Sequence, residues 1–428
     1  MKSQQARTGT YKDIYVLPLF VMLITIIILV INYIASKSYY TPGLDFAALL
    51  QSSENNSAYA PGIFLLVQCF QKITGLTVNS YLFKSCMLIL WFCSAYALAR
   101  YILGKSWLCF FAVFAILLNP YFIWSCIMSR DTASECFFLF LVFYVLIRLY
   151  DNIQAGKKNG ALYCLLPFVL GMAALVRSTN FLILFCLLAI FCFAGKVKQR
   201  RIFSIILIAF SVYTALFCFY NYKRSQAFSL STTFGINFYI GNNRAYLHGH
   251  PSYDIDLFFA EEIFAVKKKK LQGLNEGQKN NYYFQEGLRA IRQDIPAFLY
   301  RCIMKSLWHW VNFEKIPRLS APGTYLDTDG QTIHTGTIVV LPSLFYVVYK
   351  IFYIPLFLGA LFLLFCRKLG LKEALLFVPY FALWPIVVLL FPDTRFKICA
   401  EIMAVIPMMK ALQFYIRQRQ APEQKARE

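Results

Sequence analysis

Charge is scarce in this chain. Of its 428 residues 15% are Asp, Glu, Lys or Arg, where an ordinary soluble domain carries about a quarter, and acidic side chains number 21. Histidine is close to missing, with four copies, and none of the Cys-x-x-Cys or mixed Cys/His spacings that hold zinc occurs. The 13 cysteines do not repair that lack. Most lie inside apolar runs (Cys109, Cys136, Cys164, Cys186, Cys192, Cys366), where a thiol behaves as a small hydrophobe. What is plentiful is apolar: 59% of residues are hydrophobic and 18% aromatic. Repeated apolar runs of about 20 residues are each long enough to cross roughly 30 Å of hydrocarbon. Such a composition excludes a soluble globular fold, a disordered chain, a fibre and a coiled coil.

The runs give ten candidate spans, near 15–34, 81–103, 107–126, 132–150, 161–176, 179–195, 202–221, 345–366, 373–391 and 397–416. The first is preceded by Lys2, Arg7 and Lys12 and is longer than the apolar core of a signal peptide, so it is expected to be an uncleaved helix. The fold class that follows is an all-α polytopic membrane protein. A net charge of +21 would point a soluble protein towards nucleic acid. Its distribution points elsewhere. Segments 1–14, 100–106, 148–160, 196–201, 366–373 and 410–428 hold 20 basic and 5 acidic residues, a surplus of +15. The large segment 222–339 between spans seven and eight holds 14 and 10. That asymmetry is the positive-inside pattern, with both termini cytoplasmic and nucleic acid excluded as a partner.

The chain then divides into an amino-terminal membrane module (1–221) with a long first outer loop (35–80), an outer helical region (222–339) and carboxy-terminal helices (340–428). Within the outer region, Ile255, Phe258, Phe259, Ile263 and Val266 recur at helical spacing, as do Phe284, Leu288 and Ile291. Asp294-Ile295-Pro296 opens a further helix reaching Trp308 and Trp310. All three helices are expected to lie flat in the membrane interface. Residues 317–337, rich in Gly, Thr and Asp, read as loop.

Ionisable side chains at the ends of spans are costly and mark function. On the outer side these are Asp45, Glu54, Asp131, Glu135, Asp393 and Glu401, with Arg130, Arg177, Arg395 and Lys397 among them. A cleft of a few carboxylates and a few cations suits an anionic substrate arriving from the membrane. Each residue also has a plainer reading. Asp45 can cap the helix starting at Phe46, Arg177 can anchor a helix end by snorkelling, Arg130 and Asp131 can pair with each other, and Lys397 and Glu401 are spaced for an ion pair. Asp131 and Glu135 share a helix face suited to a donor or a metal. The turn Gly241-Asn242-Asn243-Arg244 offers amides that could read sugar hydroxyls. His248-Gly249-His250 with Asp254 and Asp256 has metal-ligand types without a closed set, so no metal is assigned. Lys267 to Lys270 suit anionic lipid headgroups.

Several motifs recur in an order and sidedness that matches a known group. They are Asp45 with the later Tyr59-Ala60-Pro61, Leu175-Val176-Arg177 ending a span, and Asn237-Phe238-Tyr239-Ile240-Gly241-Asn242-Asn243. The Asp294-Ile295-Pro296 helix with Lys305 and Trp308, and Asp393-Thr394-Arg395-Phe396 at the last span, complete the set. Over most of its length the chain resembles the integral-membrane glycosyltransferases of the GT-C superfamily. The resemblance is to the family 39 group of protein O-mannosyltransferases and lipid A aminoarabinose transferases.

The resemblance implies inverting transfer of a sugar from a polyprenyl-phosphate donor to a lipid, glycan or protein acceptor on the outer face of a bacterial inner membrane. No nucleotide sugar is needed, and a divalent cation is compatible with the site. It implies Asp45 as general base and Arg177, Arg395 and Lys397 as phosphate ligands. Glu54, Tyr59, Asp131, Asn242 and Asn243 join them around the substrate. One base suffices chemically, because a phosphate leaves already stabilised as an anion. Two alternatives stand beside this: an O-antigen polymerase or ligase, which lacks a catalytic aspartate in its first outer loop, and a lipid flippase. A flippase predicts internal repeats and midplane charges.

Overall fold

The computed structural model describes residues 80–104, 106–119, 132–157, 160–226, 228–231, 233–243, 271–311, 324–326, 332–334, 343–390 and 394–425, with isolated positions between them. The expected first span, the first outer loop, and the His248 and tetralysine segment lie outside these.

The helices run α1 (Ser80–Leu103), α2 (Ser106–Leu117), α3 (Thr132–Gln154), α4 (Gly160–Val176), α5 (Asn180–Ala194) and α6 (Val197–Ser225). The outer segment supplies α7 (Phe234–Asn242), α8 (Glu276–Gln293) and α9 (Ile295–Val311). A short antiparallel pair, β1 (Thr324–Leu326) with β2 (Thr332–His334), lies where the sequence predicts only loop. Then come α10 (Ser343–Phe365), α11 (Leu371–Leu375), α12 (Val378–Leu389) and α13 (Thr394–Lys425).

Among the described residues, six stretches are long and apolar enough to cross a membrane: Ser85–Leu103, Thr132–Gln154, Val197–Lys223, Val348–Phe365, Leu371–Leu389 and Lys397–Gln420. Trp107–Leu117, Gly160–Val176 and Asn180–Ala194 are shorter apolar helices. The third expected span, 107–126, is not one continuous helix. It stops at Leu117, before Asn119-Pro120. Proline lacks the amide that the next turn needs and disfavours helical geometry in the residue before it. Asn119 then accepts the Phe122 amide through its side-chain oxygen at 3.1 Å.

At the bundle's centre stand α3 and α13, whose faces from Phe138 to Leu149 and from Ile398 to Met409 are almost wholly buried against α1 and α12. Outside them the apolar residues point outward: Ile205, Ile208, Val212, Leu216 and Phe219 of α6 are all exposed. A soluble protein would not leave such a ridge bare; hydrocarbon removes its cost. Connections of a few residues link α3 to α4, α4 to α5, α5 to α6, α10 to α11 and α12 to α13. Helices so joined must run antiparallel, so the starts of α3, α5, α10 and α13 share one face with the ends of α4, α6 and α12. On that face the polar residues converge. The opposite face carries its own set, where Tyr101 and Lys372 both donate to the Asp151 carboxylate.

Candidate functional site

Two polar clusters occupy the face where α13 begins. The first is centred on Glu401, two turns into α13 and fully buried. Lys350, the single charged residue of α10, reaches its Oε1 at 2.6 Å, while Lys397 stands 3.9 Å from the same oxygen. Asn119 donates to Oε2 at 3.5 Å, so the break in the second helix delivers an amide to this carboxylate. Lys397 also donates to the carbonyl of His309 at 3.2 Å, and Tyr380 of α12 donates to that carbonyl at 3.0 Å. Lys350 further lies over the Tyr353 ring, 4.7 Å from its centre.

Beside this cluster, Arg177, immediately after α4, pairs with Glu135 in the first turn of α3 at 2.6 Å. Cys136 near the start of α3 and Cys399 near the start of α13 are both buried and interact with each other. Glu135 and Glu401 therefore occupy neighbouring turns of the same layer. Two buried carboxylates balanced by Arg177, Lys350 and Lys397 satisfy the requirement that a buried charge be paired.

The second cluster closes the end of α12. A helix leaves its last four carbonyls without partners, and Pro392 downstream has no amide to offer. Side chains from the outer segment take over. Lys305 of α9 donates to Val388 O at 3.2 Å and Leu390 O at 2.8 Å, and Asn242 donates to Leu389 O at 2.7 Å. Lys305 also reaches Asn242 Oδ1 at 3.4 Å, and an ammonium at a helix carboxy terminus is favoured by the helix dipole. Arg301, one turn earlier, donates to Asn243 O at 3.2 Å.

This geometry corrects the reading of Gly241-Asn242-Asn243-Arg244 as a turn. Gly241 and Asn242 belong to the last turn of α7, and Asn242 is fully buried with its amide spent on Phe238 O and Leu389 O. Asn243 likewise spends its amide on Tyr239 O and Ile240 O. The glycine is needed for approach, not for turning: a Cβ there would stand 1.5 Å from the Leu390 carbonyl oxygen. Below it, α7 packs on α8 through Tyr239 and Tyr283, and burial, with a smaller contribution from Tyr282, pushes the Tyr283 hydroxyl up to about 12.

Of the remaining sequence candidates, Lys397 is buried in the Glu401 cluster and Arg177 is part-buried in its pair with Glu135. Arg395 lies in the first turn of α13, one turn before Glu401's neighbours. Asp45, Glu54, Tyr59 and Asp131 lie outside the described residues. Among the described residues no group of three or more His, Cys, Asp or Glu side chains comes together to hold a metal ion. Asn119, Arg301, Lys350, His309 and Tyr380 are members of the clusters that the sequence does not single out as site residues. Spacing gives a signal for two, since Arg301, Lys305 and His309 recur every fourth residue of α9 and share one face.

Neither a family model nor a curated protein matches this sequence. A solved structure does. The chain is similar to an archaeal oligosaccharyltransferase. That protein, AglB from Archaeoglobus fulgidus, was solved in complex with an inhibitory peptide and a dolichol-phosphate. The match has 15% sequence identity and a TM-score of 0.43, and covers 86% of this chain but 43% of AglB.

Proposed function

We propose that the chain is an integral membrane glycosyltransferase that moves a sugar from a polyprenyl-phosphate donor to an acceptor hydroxyl or amine at the face where α13 begins, the outer face of the membrane. The observation that carries this reading is the concentration of cations in one layer at that face. Arg177, Lys350 and Lys397 are gathered there with two carboxylates, Lys305 and Arg301 lie beside them, and Arg395 occupies the amino-terminal turn of α13. A helix amino terminus presents unpaired amides and a positive dipole end, which favours a phosphate. Arg395 in that turn adds a guanidinium able to make two parallel bonds to phosphate oxygens.

In the proposed reaction the acceptor oxygen or nitrogen attacks the anomeric carbon, the bond from that carbon to the phosphate oxygen breaks, and the electron pair leaves with the polyprenyl phosphate. The acceptor proton passes to the carboxylate of Asp45. Attack opposite the leaving group inverts the anomeric centre. Arg395 holds the departing phosphate, and the Lys350, Lys397 and Glu401 cluster holds the start of α13 in place.

The test is Asp45→Asn assayed in vesicles for release of polyprenyl phosphate. Loss of turnover by a factor of about 100 or more, with normal abundance in the membrane, is expected. Undiminished transfer by this variant would remove Asp45 from the mechanism. A wild-type protein that releases no polyprenyl phosphate from any such donor would remove the enzyme reading itself.

A further inference from the structure

The helix α9 is built the wrong way round for a helix lying on a membrane surface. Its charged residues face the protein: Arg301, Lys305 and His309 are buried. Its large apolar residues face out, with Ile295, Leu299, Tyr300, Ile303 and Leu307 each more than half exposed. An interfacial helix turns its apolar face into the membrane and its charges towards water. Here the surroundings of the exposed ridge must be apolar.

Contacts along α9 show how deep it goes. Arg301 meets the end of α7 at Asn243, and Lys305 meets the end of α12 at Val388 and Leu390. Ser306 then accepts from Trp384 at 3.0 Å, and His309 faces the Tyr380 carbonyl at 3.3 Å. Residue numbers rise on α9 as they fall on α12, so the two helices run antiparallel and α9 descends along the span. From Leu390 to Tyr380 the descent is about 15 Å at 1.5 Å per residue, half of a hydrocarbon layer of about 30 Å.

A second span gives the same depth. Trp310 packs against Tyr380 at 5.2 Å between ring centres and against Phe357 at 5.9 Å. Tyr380 stands at the middle of the span Leu371–Leu389, and Phe357 at the middle of Val348–Phe365. The chain is nevertheless back at the starting face by Ser343, because α10 begins where α12 ends. Beside the ridge, Phe381 and Trp384 of α12 are also exposed, continuing one apolar surface across both helices.

We infer that α9 is a re-entrant membrane helix, entering from the face of the Glu401 cluster and ending near the bilayer midplane, with acyl chains covering Leu299, Ile303 and Leu307. It replaces the expected flat helix with Trp310 at headgroup level. The buried flank of α9 thereby forms a wall of the Glu401 cluster at hydrocarbon depth, through the His309 carbonyl that both Lys397 and Tyr380 use. This inference is independent of the proposed sugar transfer.

The test uses the wild-type protein in vesicles of phosphatidylethanolamine and phosphatidylglycerol doped with one of two photoactivatable lipids. One carries a diazirine at the acyl terminus, the other in the headgroup. After irradiation, adducts are mapped by mass spectrometry, with the exposed α6 residues Ile208 and Val212 giving the acyl-terminus probe its reference signal. The acyl-terminus probe is expected to label Leu307 and Ile303, and the headgroup probe only the Ile295 end, so that the ratio of the two inverts along the helix. Headgroup labelling along the whole of α9 without acyl-terminus adducts would restore the flat helix. No adduct from either probe would mean that protein, and not lipid, covers the ridge. Both results overturn the inference.

Discussion

Arg177 and Glu135 illustrate how one contact constrains both fold and chemistry. Their 2.6 Å pair is part-buried: the carboxylate has almost no access to solvent, while the guanidinium keeps some. Arg177→Ala leaves that carboxylate without its guanidinium, a change that costs about 3–5 kcal/mol in buried pairs. A marked fall in melting temperature in detergent is therefore expected, read by intrinsic fluorescence. Replacing both members, Arg177→Met with Glu135→Gln, removes the uncompensated charge and is expected to recover most of the loss. The double variant then separates fold from chemistry: if it is stable yet weak for the lipid-phosphate donor, Arg177 also touches phosphate. A single variant as stable as wild type would show that the pair is not structural. From the sequence, Leu175-Val176-Arg177 announces the arginine at a span end but not the partner, because Glu135 lies 42 residues away. The plainer reading of Lys397 with Glu401 as an ion pair is present at 3.9 Å, but Lys350, more distant in sequence, holds the carboxylate more closely.

At the scale of elements, helices are read from sequence far better than the seams between them. Apolar runs and their polar breaks place α1, α3 to α6, α10 and α12 and the start of α13 within a few residues, because each must satisfy its backbone internally in hydrocarbon; α13 itself runs on to Lys425, past the expected end at 416. The sequence expectation fails where a seam decides the outcome. Gly241 suggests a turn by composition, yet its place is a helix whose side meets the Leu390 carbonyl. Gly241→Ala is accordingly expected to force α7 away from α12 and to lower both membrane abundance and melting temperature. The same change at Gly359 of α10, where a Cβ meets nothing within 4 Å, is expected to be silent. Equal effects at the two positions would disprove the seam. The direction of α9 is hidden for a related reason. Its periodicity reports two faces, but only the packing partner shows which face is inside.

For the whole molecule, the expected orientation rests on the distribution of charge. The surplus of +15 lies in segments whose described members cluster at the face opposite the Glu401 cluster, around Asp151, Lys196 and Arg200. Alkaline phosphatase fused after Arg292 is expected to be active and a fusion after Arg419 inactive, with the reverse pattern for a fluorescent protein that folds only in cytoplasm. The opposite result would place the proposed site on the cytoplasmic side and exclude the proposed topology. The proposed general base, Asp45, falls outside the described residues. Arg395 and the cations around α13 are placed at one face by the antiparallel order of the spans alone.

The closure of α12 by Lys305 and Asn242 also sets an order in time. Both residues leave the ribosome well before Val388, Leu389 and Leu390, so the donors to those carbonyls are made before the helix end that they close. Until then α7 and α9 have no end of α12 to close upon. A chain cut short before Val388 would therefore lose more than its last helices: it would take two carbonyl partners from Lys305 and one from Asn242, in a half-built protein that quality control can recognise.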